Sequence, residues 1–258
     1  MPEGDTVYSA AKRLDAALAG RVVLRSDIRV PAFATVDLAG QVVHSVASHG
    51  KHLLMRIGDD VLHTHLKMEG VWRVFAPGER RRLPEFRARA IIETADAIAV
   101  GYDLGVVEVF PAAEEAERMA YLGPDLLGPD WDPAEAQRRL AADPGAPIVV
   151  ALAEQRNLAG LGNVYVNELC FLRGIRPDRP VGEVELAPLV ALASRVIRAN
   201  RDRFERTTTG DTRPGRRLWV YGRAGEPCRR CGTAIEHGRF GRNPVEQRDT
   251  YWCPHCQS

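Results

Sequence analysis

The order of apolar and polar positions divides the chain into stretches of different character. From Asp5 to Leu18 the apolar residues Val7, Ala10, Ala11, Leu14 and Leu18 return every three or four positions, and Gly20 follows as a stop. That spacing predicts an N-terminal helix with one buried face. Residues 22–28, 41–46, 52–57, 61–65, 71–75, 88–92, 97–102 and 105–110 are short β-rich runs, most of them separated by Gly, Asp or Pro. They predict antiparallel strands forming a sandwich or barrel. Residues 122–131 carry turn chemistry with little periodicity and read as a linker. Helical patterning follows over residues 133–142, 146–153, 163–172 and about 185–205. The class is α+β. The expected division is a β-sandwich domain at 1–121, the linker at 122–131, a helical domain at 132–222 and a cysteine-bearing segment at 223–258.

Composition narrows this picture in three ways. A hydrophobic content of 45% in 258 residues supports ordinary globular cores. No run of about 18 apolar residues and no basic-then-apolar leader is present, so a cytoplasmic protein without membrane association is expected. Net charge is only +1, yet residues 201–258 hold 12 Arg against 7 acidic residues, a local excess of +5. A basic segment on a near-neutral chain suits a local phosphate-binding surface. Lys12, Lys51 and Lys67 are the only lysines, so few amines compete for nucleophilic work.

Cys228, Cys231, Cys253 and Cys256 form a C-x2-C-x21-C-x2-C pattern. Thiols stay reduced in a cytoplasmic setting, so paired cysteines point to a metal rather than disulfides. Four thiolates suit one tetrahedral Zn2+, and a closed all-thiolate site makes that zinc structural. The spacer is slightly longer than the usual window of roughly 15–20 residues. Cys170, beside Leu169, Phe171 and Leu172, reads as a core residue. Between the cysteine pairs, residues 241–248 belong to a two-stranded hairpin that would present Arg248 rigidly, and a guanidinium fork matches phosphate geometry. The seven histidines show no metal-ligand spacing.

The chain starts Met1-Pro2-Glu3-Gly4-Asp5-Thr6. Initiator methionine is normally removed before proline, which would free the secondary amine of Pro2. Such an α-amine titrates near ~8, about two units below lysine. It is therefore nucleophilic at cellular pH and able to form an iminium with a sugar aldehyde carbon. Glu3 stands next to it as a proton-handling group. Further on, Gly160-Leu161-Gly162-Asn163 opens a helical stretch, with Glu168 five residues after Asn163. Glycines admit a phosphate close to backbone amides, and the helix N-terminus favours the anion.

Several segments together resemble one family. They are the Pro-Glu-Gly start, Lys51-His52-Leu53-Leu54, His65-Leu66-Lys67-Met68-Glu69-Gly70, the run from Ala159 to Glu168, Tyr221-Gly222-Arg223 and the cysteine-rich end. In this order they resemble the formamidopyrimidine-DNA glycosylase/endonuclease VIII family of helix–two-turn–helix repair enzymes, over essentially the whole chain.

The resemblance implies a bifunctional DNA glycosylase/AP lyase. By it, Pro2 attacks C1′ of the damaged nucleotide, expels the base and forms the iminium. Glu3 protonates the sugar ring oxygen. Lys51 contacts the lesion phosphate and moves a proton during β-elimination. Gly162, Asn163 and Arg248 grip phosphate, Arg248 also serves δ-elimination, and Met68 fills the space left by the flipped base. The implied architecture is an N-terminal helix with an antiparallel β-sandwich, then a helix–two-turn–helix domain ending in a zinc hairpin. The implied partner is duplex DNA with a damaged base or abasic site, lying in a cleft between the domains of a monomer.

Two features favour the endonuclease VIII branch, and with it oxidised pyrimidines and hydantoins as substrates. The start reads Pro-Glu-Gly-Asp-Thr, and the stretch from Thr209 to Trp219 is short. The Met68 turn and residues 221–227 look more like the formamidopyrimidine branch, so an 8-oxoguanine preference stays open. Two alternatives of a different class remain: a silent damaged-DNA binder, and a zinc-ribbon binding module with an unrelated N-terminal domain, which would leave Pro2, Lys51 and the glycine-turn motif unexplained.

Overall fold

The computed structural model describes residues 2–80 and 83–258, which form two compact units, Met1–Tyr121 and Leu122–Ser258. Met1, whose removal the sequence predicts, lies outside the described residues.

The first unit opens with α1 (Gly4–Leu18), whose buried face holds Val7, Ala10, Ala11, Leu14 and Leu18, the predicted set. Its strands are β1 (Arg25–Ile28), β2 (Val43–His49), β3 (His52–Ile57), β4 (Asp60–His65), β5 (Val71–Phe75), β6 (Ala88–Glu93), β7 (Ile98–Tyr102) and β8 (Val106–Pro111). They make two four-stranded antiparallel sheets, β1-β6-β7-β5 and β2-β3-β4-β8. Leu53, Met55 and Leu62 of one sheet share a core with Ala90, Ile92 and Ala99 of the other and with the apolar face of α1. Side chains alternate across a strand, so His52, His63 and His65 fall on the face of the second sheet turned away from that core.

A short helix, α2 (Glu115–Met119), follows β8 and lies against this outer face. Glu115 receives both Nε and Nη2 of Arg56, at 2.7 and 2.5 Å, while the Arg118 guanidinium sits 4.5 Å from the Phe110 ring centre. The sequence pattern does not predict α2, because Met119 is the one residue it buries.

The second unit contains α3 (Pro133–Leu140), α4 (Ile148–Ala153), α5 (Asn163–Arg173) and α6 (Leu186–Asn200), then the hairpin β9 (Glu236–Phe240) and β10 (Arg248–Trp252). Residues 122–131, expected as a linker, pack inside this unit. Leu122, Leu126 and Leu127 are buried, Gly123 N–H donates to Gln155 O, and Pro124 O accepts from Ala159 N–H. The last helix ends at Asn200, short of the expected residue 205. The Asn200 side chain donates to the Val196 and Thr207 carbonyls and accepts from Thr207 N–H, which turns the chain away from the helix axis.

Phe171 of α5 stacks on Trp219 at 5.4 Å and shares a small core with Val220, Ile235, Cys228 and Cys253. The cysteine-bearing end is thereby seated on α5.

Candidate functional site

In the first unit the proposed chemistry starts at the head of α1. Pro2 is partly exposed and Glu3 is fully buried. Glu3 is the residue preceding the helix, and its N–H donates to the Thr6 hydroxyl at 3.5 Å. The unpaired amides of a helix N-terminus favour a carboxylate there. Asp15, on the same helix, accepts the Val46 N–H at 2.7 Å and so ties α1 to β2.

That strand leads into Gly50-Lys51, a two-residue turn closed by the pairing of His49 with His52. Gly50 has φ 58°, the left-handed value that a hairpin turn of this length needs at its first position. Lys51 is half-buried. Its positive charge is one of the causes that hold His65 in the neutral form. Met68 stands 64% exposed between exposed Lys67 and Glu69. Lys67 N–H donates to His65 Nδ1 at 2.9 Å, and its backbone has φ 53°. The turn thus offers Met68 outward from a fixed base.

In the second unit the loop between α4 and α5 is organised by Gln155. Its side chain donates to the Ala153 and Leu161 carbonyls and accepts from Gly160 N–H. Gly160 has φ 108°, a conformation that excludes ordinary side chains. Gly162 is the residue before α5, and Asn163 is its first helical residue. Asn163, Arg248, Glu154 and Arg242 line one open concavity of about 400 Å3. The structure therefore brings Asn163 and Arg248 together, although 85 positions separate them in sequence. Arg242 reaches Glu154 at 2.9 Å, joining the hairpin loop to the end of α4.

Cys228, Cys231, Cys253 and Cys256 have Sγ atoms within 4.8 Å of one another. Individual separations are 3.9 Å for Cys228–Cys256 and 3.5 Å for both Cys231–Cys253 and Cys231–Cys256. Four sulfurs around zinc at ~2.3 Å would stand about 3.8 Å apart, so the set fits one tetrahedral zinc ion. His255 is exposed and outside the group. Burial pushes the Cys170 thiol up to about 12, as suits a core residue.

Comparison with known proteins agrees with this arrangement. Residues 1–103 match the model of the formamidopyrimidine-DNA glycosylase N-terminal domain, and residues 225–258 match the zinc finger found in FPG and IleRS. A Mycolicibacterium smegmatis protein named DNA-(apurinic or apyrimidinic site) lyase Nei2 is 55% identical, covering 100% of this chain and 99% of its own length. Endonuclease 8 of Escherichia coli is 31% identical with full coverage of both chains. The chain belongs to the formamidopyrimidine-DNA glycosylase/endonuclease VIII family of DNA glycosylase/AP lyase enzymes. The structure of Lactococcus lactis Fpg in complex with DNA containing an abasic site is 24% identical over the whole of both chains, with a TM-score of 0.83. At that identity the likeness concerns the fold.

This family member also holds polar residues that sequence reasoning missed. Tyr121 Oη lies 3.0 Å from His52 Nε2, His52 Nδ1 lies 2.8 Å from His63 Nε2, and His63 Nδ1 lies 3.0 Å from Glu108 Oε2. Burial, helped by His63, His65, His49 and Lys67, brings His52 down to about 3. Burial with Lys67, Lys51 and His63 brings His65 down to about 4. The signal was present in the hairpin register, since a β3–β4 pairing that sets Ile57 opposite Asp60 also sets His52 opposite His65. Glu168 was noted only as part of a motif. It is fully buried and accepts from the N–H groups of Trp219, Val220 and Tyr221 and from the Thr208 hydroxyl.

Proposed function

We propose that this chain excises oxidised bases from duplex DNA as a bifunctional glycosylase/AP lyase, with the free amine of Pro2 as nucleophile. The observation that carries this reading is the head of α1, where a partly exposed Pro2 adjoins the fully buried carboxyl of Glu3. The Pro2 nitrogen attacks C1′, the glycosidic bond breaks, and the base leaves. Glu3 protonates the ring oxygen as the sugar opens to the iminium. That cation acidifies C2′–H. Loss of the proton expels the 3′ phosphate, and a second elimination expels the 5′ phosphate. Lys51 handles the proton of the first elimination, and Arg248 serves the second. The product is a one-nucleotide gap with phosphate on both ends.

Asn163 and Arg248 hold a backbone phosphate in the concavity of the second unit, with the amides after Gly162 helping at the start of α5. The zinc ion is structural and sets the hairpin that carries Arg248. Met68 occupies the space of the extruded base, whose flipping costs a few kcal/mol and least for a damaged base. The protein acts as a monomer on duplex DNA. No described helix is long and apolar enough to cross a membrane.

Oxidised pyrimidines and hydantoins are the proposed substrates. Support comes from the Pro-Glu-Gly-Asp-Thr start and from relatives named endonuclease 8 at 51% identity. An 8-oxoguanine preference is the second reading, favoured by the make-up of the Met68 turn.

The test is borohydride trapping on duplexes bearing an abasic site, 5-hydroxyuracil or 8-oxoguanine, with Pro2→Gly as control. Adducts on the first two, lost in the control, are expected. Preference for 8-oxoguanine would keep the mechanism and overturn the substrate. Absence of any adduct from protein lacking Met1 would leave only a DNA binder.

A further inference from the structure

The hydrogen-bonded chain on the outer face of β3, β4 and β8 has no part in the chemistry above, yet it passes through His52, the residue after Lys51. We propose that Glu108, His63, His52 and Tyr121 form a positioning array that holds the Gly50-Lys51 turn in its working geometry. The proposal rests on the reading of Lys51 as the residue that handles phosphate and proton.

One donor order satisfies every link. A carboxylate only accepts, so His63 turns Nδ1–H toward Glu108 and keeps Nε2 as an acceptor. His52 then donates from Nδ1 to His63 and keeps Nε2 free to accept the Tyr121 hydroxyl. Every link then has one donor and one acceptor. The groups facing His52 are His49, His63, His65 and Lys67, together with Tyr121, and none of them is an anion. A second proton on its ring therefore has no anionic partner, and Glu108 touches only the far imidazole.

Mechanical consequences follow from the register. His52 is the first residue of β3 and pairs with His49 across the Lys51 turn. Its ring packs between His63 and His65, each with a centroid 5.0 Å away, and its two nitrogens are both engaged. The imidazole cannot rotate without breaking two hydrogen bonds, so the backbone next to Lys51 is pinned through a side chain. His65, the ring facing it, accepts the Lys67 N–H and braces the turn that bears Met68. Glu108 is held in β8 by its pairing with His63, so the array reaches from the edge strand β8 of the sheet to the lysine turn.

The test is single-turnover cleavage of a duplex with a preformed abasic site, measured together with affinity for that duplex. Tyr121→Phe keeps the ring beside His52 and deletes one hydrogen bond. It should slow cleavage about threefold to tenfold and leave affinity within about twofold. Glu108→Leu should slow it similarly, whereas Glu108→Gln keeps an acceptor and should restore most of the rate. In a Lys51→Ala background Tyr121→Phe should add nothing. Unchanged rates in Tyr121→Phe and Glu108→Leu would overturn the array. So would independent, additive slowing with Lys51→Ala, or a loss of affinity in place of rate, which would mean that Tyr121 touches DNA itself. Lys51→Ala alone separates the two readings. If it cleaves normally, the role of Lys51 fails and the array falls with it; if it is slow while the array variants are not, only the array falls.

Discussion

Asn163 donates from Nδ2 to the backbone carbonyl of Asp249 at 2.7 Å, one residue beyond Arg248. The first residue of α5 is thus bonded to the strand that carries Arg248, the arginine proposed to grip phosphate. Asn167, one turn later, donates to Asn163 O at 2.7 Å and accepts Tyr251 N–H at 2.6 Å. Two asparagines therefore dock β10 against α5 through the backbone, and the geometry of the proposed phosphate grip depends on both.

Asn167→Leu should destabilise the second unit by about 1 kcal/mol, because the part-buried Tyr251 N–H loses its acceptor. Urea unfolding would show a lower midpoint, and affinity for abasic-site duplex should fall with it. Asn163→Ala removes a docking bond and a proposed phosphate ligand together, so it should weaken duplex binding more, by about tenfold. A variant pair that binds equally well would argue against the docking role.

Metal analysis should find one zinc per chain. Loss of a thiolate in Cys228→Ser, or chelation, should unfold the segment seated on Phe171 and Trp219, since the metal supplies much of the folding energy of so small a core. The expected observations are a lost Trp fluorescence signal and lost duplex binding, with the first unit still folded. Full binding by zinc-free protein would contradict the structural role.

Binding to duplex should weaken steeply with salt, because each phosphate neutralised releases condensed counterions. Arg248→Ala should lower the slope of log affinity against log salt by about one. An unchanged slope would remove Arg248 from the phosphate contacts.

Stability should fall as pH drops from about 6.5 toward 4. His52 and His65 stay neutral in the folded protein down to about 3 and about 4, whereas in the unfolded chain both titrate near 6.5. Below 6.5 the unfolded state binds more protons, so the native advantage shrinks, and above 6.5 this contribution is flat. His65→Asn should show a shallower decline in this window when followed by urea midpoints. The carboxylates held low by arginines, Glu135 and Asp211 at about 2, lose their contribution as pH falls from their unfolded values of 4.5 and 3.8.

Much of the architecture was legible before any coordinates. The eight strand segments of the first unit fall within a few residues of their expected places, because alternation and turn residues are local signals. The face of α1 and the four cysteines are of the same kind. Helix α2 was not legible, since it is held by the Arg56–Glu115 and Arg118–Phe110 contacts rather than by an apolar stripe. Neither was the end of α6, which Asn200 sets through a residue seven positions away.

The sequence by itself pointed to the class of chemistry, through the order of short motifs that resemble one family and through the paired cysteines, because such patterns are short-range and can be read without any tertiary contact. Tertiary structure decided which distant residues act together. Strand register placed His52 against His65 and His63 against Glu108, and the packing of α2 brought Tyr121 to the same face. Folding of the hairpin onto α5 set Arg248 beside Asn163. Those relations depend on pairing between strands and on buried hydrogen bonds between remote segments, and such long-range terms leave no local signature.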